Sequence, residues 1–291
     1  MKLDPAIIHE GRDMLGEGPS WHPRRNELWW LDIENGVLNA WSDETGHRVV
    51  FKADYRVGCY GFTASDDLVL GTERGIERWH SATGRFDLLH APEPDGRTRF
   101  NDGKVDPMGR FWAGTMPLAE EDFDKPLGNL YRFDPDGSLH TMETGLTISN
   151  GLDWFADGKT MILTDTKRLR IYAYDFDMAT GAISSRREFI RTDPDHGIPD
   201  GLTIDADGDI WSAGISGGCL LRYAPSGALK EKIDIATASP TSVAFGGPAL
   251  DRLYVTSARF HLKPGEEDRL AGSLAMIDPG CRGRPTNVFA G

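Results

Sequence analysis

Four polar residues stand where the chain passes from turn-like to strand-like sequence. They are Glu17 in GEGPSW, Asn101 in FNDGKV, Asn150 in SNGLDW and Asp200 in PDGLTI, and in each segment a glycine follows. Two carboxylates and two amide carbonyls suit a hard or borderline divalent cation such as Ca²⁺, Mg²⁺ or Mn²⁺, or Zn²⁺ among carboxylates. Two carboxylates buried together would repel each other, and a dication would offset that cost. If the four side chains meet in space, the sequence predicts a metal site.

Each of these residues also has an ordinary explanation when it is taken alone. Asn-Gly and Asp-Gly are common in turns, which would explain Asn150 and Asp200 without any ligand. Glu17 lies between two glycines and could be an exposed loop carboxylate. The nearby Arg99 has aspartates on both sides and could form no more than a surface ion pair. The recurrence of one arrangement along the chain favours the metal site over these separate explanations.

Short strand-like runs recur along the chain and indicate which elements position these residues. The runs recur about every 40–50 residues, at Leu28, Leu68, Phe111, Met161, Ile210 and Leu253. Each is followed by two strand-like stretches around a polar turn, and the last such segment, 273–289, is expected to supply two strands around DPG. This period is typical of a β-propeller. We therefore expect an all-β fold, a single domain over residues 1–291 with six blades of four antiparallel strands.

The propeller arrangement would bring the four polar residues together. In this fold the innermost strand of every blade runs along a central channel, so equivalent positions converge however far apart they lie in sequence. The segments that contain Glu17, Asn101, Asn150 and Asp200 precede four of the recurring runs and are expected to form inner strands. The glycines let neighbouring backbones approach closely. We expect the four side chains at the same end of the channel.

The quoted motifs resemble those of the senescence-marker protein, regucalcin and gluconolactonase family. The matching stretches are GEGPSW, RFNDGKVDPMGRFWAGTM, ISNGLDW and IPDGLTIDADGDIW, with weaker matches in FGGPALDRLYVTSAR and the terminal FAG. They occur in the same order as in the family and cover essentially the whole chain. The resemblance implies a six-bladed propeller that acts as a metal-dependent lactonase on sugar lactones.

The resemblance also implies roles for individual residues. Glu17, Asn150 and Asp200 match the family's ligands of one divalent metal ion, whose identity (Ca²⁺, Zn²⁺, Mn²⁺, Mg²⁺ or Fe²⁺) stays open. Asp200 also matches the catalytic base. Arg99 and Asn101 match residues that contact substrate. A family glutamate shortly after GTM also touches substrate, and the spacing of PLAEEDF leaves both Glu120 and Glu121 as candidates.

These residues suit the hydrolysis of a sugar (aldono-)lactone to an aldonic acid. A divalent ion can polarise the carbonyl and lower the pKa of water, Asp200 can accept the proton of the attacking water, and Arg99 can orient the substrate. Two alternatives stay open. One is a calcium-binding regulatory or scaffold propeller, and the other is hydrolysis of different esters or organophosphates.

Composition narrows the setting in which this chemistry would occur. A net charge of -13 and a pI near 5.0 argue against nucleic acid as a partner, because phosphate binding needs clustered Lys and Arg. No apolar run approaches the roughly 18 residues that span a membrane. The three cysteines, Cys59, Cys219 and Cys281, are too scattered for a disulfide framework or a zinc ribbon. The N-terminus shows no apolar region of a secretory signal, so we expect a cytoplasmic protein. The oligomeric state is not indicated.

Overall fold

The computed structural model describes residues 5–93, 95–235, 237–263, 266 and 268–291. In these residues the strands form six antiparallel sheets of four strands each. The innermost strands of successive sheets pack against one another in a closed ring, so the sheets are the blades of a β-propeller. The predicted fold is therefore confirmed. No helix in this part of the chain is long and apolar enough to cross a membrane.

Each of the first five blades takes its four strands consecutively, from the channel outward. The chain places β1 (Ala6–His9) in the sixth blade, and the strands of blades one to three are β2 (Gly16–Trp21), β3 (Leu28–Asp32), β4 (Val37–Ser42), β5 (Gly46–Lys52), β6 (Val57–Phe62), β7 (Leu68–Thr72), β8 (Ile76–His80), β9 (Arg85–His90), β10 (Thr98–Val105), β11 (Phe111–Pro117), β12 (Gly128–Phe133) and β13 (Leu139–Leu146). The remaining strands are β14 (Ser149–Trp154), β15 (Thr160–Asp165), β16 (Arg170–Phe176), β17 (Ile183–Arg191), β18 (Ile198–Ile204), β19 (Ile210–Ile215), β20 (Cys219–Tyr223), β21 (Leu229–Asp234), β22 (Pro240–Gly246), β23 (Arg252–Ser257) and β24 (Leu274–Ile277). The described part of the chain also has three one-turn 3₁₀ helices in connections on the side where the inner strands begin: Glu120–Asp122, Thr166–Arg168 and Pro194–His196.

The sixth blade combines strands from both ends of the sequence, and here the structure corrects one expectation. Two strands are expected in residues 273–289, but only β24 forms there, and β1 supplies the outermost strand of the blade. Pro285, beyond β24, lacks the N–H that a ladder strand donates. The segment crosses to other blades instead, where Arg284 Nη2 donates to Asp153 Oδ1 (2.9 Å) and Phe289 N donates to Phe62 O (2.7 Å). The prediction of a second strand after β24 is wrong.

Tryptophans packed between blades help to hold the ring. Trp112 of β11 and Trp154 of β14 are buried, and their rings meet edge-on with centroids 5.8 Å apart across the boundary between blades three and four. Asp106 and Asp205, in the turns before β11 and β19, accept the indole N–H groups of Trp112 and Trp211 at 3.0 Å. The repeated turn sequence therefore anchors equivalent core side chains in two blades.

His22, in the connection between β2 and β3, should make the stability of the protein depend on pH. Its ring lies against Trp29 and Phe62, with centroids 4.9 and 4.5 Å away, and its Nδ1 accepts from Arg24 N (3.1 Å), so a neutral ring fits here. Burial, together with the charges of Arg25 and Arg24, lowers the pKa of His22 to about 4. The folded state then binds fewer protons than the unfolded chain. The stability that the protein has while the His22 ring is neutral in both states is fully present above about pH 6.5. It is lost as the pH falls toward 4, because the unfolded chain then binds a proton that the folded state does not.

We expect His22 to remove about 2 kcal/mol from the free energy of unfolding between pH 7 and pH 5. Urea denaturation of the wild type and of His22→Asn at both pH values measures this loss, because asparagine keeps an acceptor but does not titrate. The variant should lose about 2 kcal/mol less on acidification. Other groups, such as Asp13, whose pKa burial raises to about 7, titrate in both proteins and cancel in the comparison. Equal losses would show that His22 is not responsible.

Candidate active site

At one level of the channel, the inner strands are not regularly hydrogen-bonded to the second strands of their blades. Register shifts interrupt the pairing with the second strand of the blade between Glu17 and Ser20, Phe100 and Gly103, Ser149 and Leu152, and Pro199 and Leu202. Smaller irregularities occur at the corresponding places of β6 and β22. A bulge of this kind releases residues from the ladder and re-aims their side chains, and bulges are frequent beside active sites. Asn101, Asn150 and Asp200 lie within these bulges, and Glu17 lies at the edge of one.

Two glycines allow the bulged strands to approach closely. A Cβ atom at Gly151 would come within 2.8 Å of Asp200 O and closer still to Leu202 N. A Cβ atom at Gly201 would overlap the side chain of Ser242 and come within 2.9 Å of its Cα. Because these neighbours include backbone atoms of the next inner strand, no side chain is accommodated at either position. The glycines thus bring Asn150 and Asp200, on adjacent blades, into contact.

The three predicted metal ligands are buried together at the level of these bulges, which is near the end of the channel where the inner strands begin. Asn150 Nδ2 donates to Asp200 Oδ1 and also to Thr166 Oγ1 (3.2 Å). Asn150 Oδ1 is buried and has no hydrogen-bond partner among the described residues. One carboxylate oxygen of Glu17 accepts from Gly18 N (2.8 Å). Glu17, Asn150 and Asp200 are each only 5–6% exposed.

The electrostatics of this cluster favour a cation. Burial raises the pKa of Glu17 well above its usual range, and the nearby charges of Asp200 and Asp102 raise it further. Burial and the charge of Asp102 act in the same direction on the pKa of Asp200, while the hydrogen bond from Asn150 opposes them. Three carboxylates therefore interact electrostatically here, two of them buried (Glu17 and Asp200) and one partly buried (Asp102). Their ionised forms need a compensating positive charge.

Glu17, Asn150 and Asp200 fit a divalent metal ion. Two carboxylates and an amide oxygen are ligands that such ions accept, and the unpartnered Asn150 Oδ1 is a buried acceptor that gains a partner when an ion binds. Across the described ranges, no three His, Cys, Asp or Glu side chains are grouped to hold a metal ion. A donor set at this place would therefore have to include the amide of Asn150 besides the carboxylates.

Asp102 is a member of the cluster that the sequence interpretation treats only as a neighbour of Arg99. Its pKa is raised by burial, while Lys104 and a hydrogen bond from Gly103 N (2.7 Å) oppose the shift. It is Asp102, and not Asn101, that directly precedes the glycine of the third blade. The position before glycine, which Glu17 also occupies, is the signal in the sequence that points to Asp102.

Arg99 and Asn101 form a hydrogen-bonded pair beside the cluster. Arg99 Nη1 donates to Phe100 O and Asn101 Oδ1, both at 2.9 Å, and Asn101 Nδ2 donates to Ser149 O (3.0 Å). Arg99 is only 6% exposed, so the alternative of a surface ion pair is wrong. Burial lowers its pKa to about 10, which leaves it protonated at neutral pH. Its Nε and Nη2 have no hydrogen-bond partner in the described structure and are free to bind a ligand.

Comparison with known proteins identifies the family. A family model described as "SMP-30/Gluconolactonase/LRE-like region" matches residues 15–259. The chain belongs to this family. The matched range contains every predicted site residue, from Glu17 to Asp200.

Individual members of the family match over nearly the full length. The chain is 39% identical over 279 residues to pentonolactonase XacC of Haloferax volcanii, and the match covers 93% of both chains. It is 36% identical over 266 residues to 6-deoxy-6-sulfogluconolactonase of Pseudomonas putida, covering 90% of this chain and 87% of that one. Among solved structures, a calcium-binding protein, regucalcin, from Agrobacterium tumefaciens superposes with a TM-score of 0.91 at 26% identity, covering 99% of both chains. The similarity to these relatives therefore extends over the whole propeller.

The family resemblance predicts a substrate contact at Glu120 or Glu121. Both residues lie in the 3₁₀ helix after β11, and both are exposed. Neither makes a hydrogen bond or ion pair to the buried cluster in the described structure. Glu93, in the connection between β9 and β10, is a more enclosed glutamate, and its Oε1 accepts from Asn129 Nδ2 (2.8 Å) and Tyr131 OH (2.9 Å) of β12. The contact at Glu120 stays a prediction.

Proposed function

We propose that this protein is a divalent-metal-dependent hydrolase that opens sugar (aldono-)lactones to aldonic acids. The observation that carries the proposal is the buried set of Glu17, Asp200 and the unpartnered Asn150 Oδ1 at one end of the channel. The names of two relatives, a pentonolactonase and a 6-deoxy-6-sulfogluconolactonase, support the substrate class. The finer points, metal dependence and the roles of single residues, rest on the geometry of the site.

Lactone hydrolysis needs a polarised carbonyl, an activated water and stabilisation of the oxyanion. A divalent ion, when bound, supplies a Lewis acid for the carbonyl and lowers the pKa of water. Glu17, Asn150 and Asp200 would hold this ion through their side-chain oxygens. Asp200 accepts the proton of the attacking water. The hydrogen bond from Asn150 Nδ2 fixes one Asp200 oxygen, so the other oxygen is left for this task.

Arg99 binds and orients the sugar lactone. Asn101 Oδ1 and Phe100 O hold its Nη1, so the guanidinium plane is set while Nε and Nη2 are left for substrate oxygens. A planar, permanently charged donor pair is suited to a hydroxyl or to the oxyanion that forms at the carbonyl. Near the same arginine, Arg56 donates to Glu34 Oε2 (2.8 Å) and Glu73 Oε2 (3.1 Å). We infer that this ion-pair group borders the substrate entrance.

Two alternatives make different predictions for the same site. The regucalcin of known structure is described as a calcium-binding protein, and a regulatory role of that kind would leave cation binding without turnover. A hydrolase of other esters or organophosphates would keep turnover but would not require hydroxyl groups on the substrate. The fold hosts both classes of function, so activity has to be measured.

Removal of divalent metal is expected to abolish lactone hydrolysis and to leave the propeller folded. Chelated protein, supplied with individual cations, would be assayed by acid release on a panel of aldonolactones, with a simple aryl ester and an organophosphate for comparison. Circular dichroism of the chelated protein should keep the β-sheet signal, because the blade core does not depend on the ion. Turnover in the chelated protein, or global unfolding on chelation, would contradict the proposal. Preference for the aryl ester over every aldonolactone would favour the second alternative.

A further inference from the structure

A cavity of about 420 Å³ occupies the half of the central channel that lies away from Glu17. All six inner strands line it with their later residues, and residues 284–287 line it as well. We name it the lower cavity. Its volume falls in the range of about 300–1,000 Å³ that is typical of small-molecule sites. Glu17, Asn150 and Asp200 do not line it, and of the buried cluster only Asp102 reaches it, at its upper end.

Three of the charged side chains that line the lower cavity form one ion-pair group. The Asp153 carboxylate, whose side chain is 9% exposed, accepts from Lys104 Nζ (3.1 Å) and Arg284 Nη2 (2.9 Å). Trp154 N and Ile204 N donate to it as well, at 2.8 and 3.0 Å. Burial by itself would raise the pKa of Asp153, but Lys104 and Arg284 hold it below its usual range. Within this ion-pair group, two cations and one ionised carboxylate leave one excess positive charge; Asp102, the other acidic residue of the lining, interacts electrostatically with Lys104 but forms no ion pair with it in the described structure.

The two cations keep donors that protein groups do not use. Lys104 Nζ also donates to Leu202 O (3.2 Å), and a lysine ammonium has three donors, so one N–H is left over. Arg284 Nε donates to Ile204 O (3.3 Å), and its Nη1 has no hydrogen-bond partner within the described residues. The free donors belong to residues that line the same cavity. Positive charge and unused N–H groups together make a site for an anion.

We propose that the lower cavity binds a small oxyanion, a molecule with one carboxylate or phosphate group held against Lys104 and Arg284. The remaining polar lining, Ser20, Thr203, Ser242, Thr286 and Asn287, can hydrogen-bond to hydroxyl groups on the same molecule. Asp102 lines the upper end of the cavity and would repel a second negative charge there. The site therefore takes a compact molecule with a single anionic group, which lies at the lower end of the cavity.

Isothermal titration with gluconate and with inorganic phosphate, at constant ionic strength, tests this proposal. Lys104→Met should weaken binding of the better probe by at least about ten-fold, the loss expected for one charge-assisted hydrogen bond. Asp153→Asn should strengthen binding by about ten-fold, because it frees donors of both cations and removes the opposing charge. Lys52→Met, which removes an exposed lysine of β5, is the matched control and should bind like the wild type. Sorbitol, an uncharged polyol, should not compete.

Titrations with and without a chelator separate this site from the metal end of the channel. Affinity for the lower cavity should be the same in both conditions, whereas an anion that binds on a metal ion would be lost on chelation. Tighter binding of gluconate identifies a hydroxy acid as the occupant class, and binding of phosphate alone identifies inorganic phosphate. If Lys104→Met does not fold, the double variant Lys104→Met/Asp153→Asn replaces it, because it removes both members of the ion pair and leaves the net charge unchanged. The double variant should bind the anion more weakly than Asp153→Asn does. No binding of either probe, equal affinity in wild type and Asp153→Asn, or loss on chelation would overturn the proposal.

Discussion

Asp200→Asn is expected to reduce kcat by at least about 100-fold at saturating divalent metal. General-base catalysis contributes about 10²–10⁴-fold, and an amide cannot accept the proton of the attacking water. The substitution is close to isosteric and keeps one oxygen as a metal ligand. Asn150 Nδ2 can still donate to that oxygen, as it does to Asp200 Oδ1. The loss should therefore appear in kcat, with a divalent ion still bound.

Metal titration of the variant, followed by activity and by calorimetry, makes the measurement. Asp102→Asn is the matched control, because it also removes one carboxylate, here a partly buried one, that interacts electrostatically with Glu17 and Asp200. We expect Asp102→Asn to retain most of kcat once metal is saturating. Turnover by metal-saturated Asp200→Asn close to that of the wild type would reduce Asp200 to a ligand. An equal loss in Asp102→Asn would show that removal of charge, and not of the base, is what matters.

The fold was predictable from sequence because its determinants are local and repeated. The recurring apolar runs and polar turns predict six similar units, and each unit buries its faces only against its neighbours. The same repetition locates Glu17, Asn150 and Asp200, since equivalent positions of the inner strands converge on the channel. The glycines at 151 and 201 mark places where neighbouring inner strands approach closely.

The parts that could not be predicted depend on contacts between distant segments. Nothing within Ala6–His9 shows that it completes the sixth blade, because its partner β24 lies at the other end of the sequence. The path of residues 284–289 is set by Asp153 and Phe62 in other blades, which no local pattern reveals. Asp102 was missed for a different reason. Its position before glycine was visible, but its electrostatic interaction with Glu17 and Asp200 arises only when the ring closes.

Asn150→Ala is expected to weaken metal binding by roughly 10–100-fold, and high metal concentration should restore activity. A buried acceptor without a partner costs about 1–3 kcal/mol, and a bound ion removes this cost at Asn150 Oδ1. Alanine has no such oxygen, so this part of the binding free energy disappears. Alanine also removes the N–H that orients Asp200, which adds to the loss. Because the base at position 200 is retained, kcat at saturating metal should lie within a few-fold of the wild type, unlike that of Asp200→Asn.

Asn101→Ala is the matched control, since it removes the same amide from the next bulged strand. Asn101 Oδ1 accepts from Arg99 and its Nδ2 donates to Ser149 O, so both polar atoms of this amide are engaged by the protein, whereas Asn150 Oδ1 has no partner in the described structure. We expect its metal affinity to be unchanged and its defect to fall on kcat/KM for the lactone, because Arg99 loses its orientation. Calorimetric titration of both variants with Ca²⁺ and Mn²⁺ separates the two asparagines. Equal metal affinity in Asn150→Ala and the wild type would remove Asn150 from the donor set, and the two remaining carboxylates would then have to hold the ion without the amide.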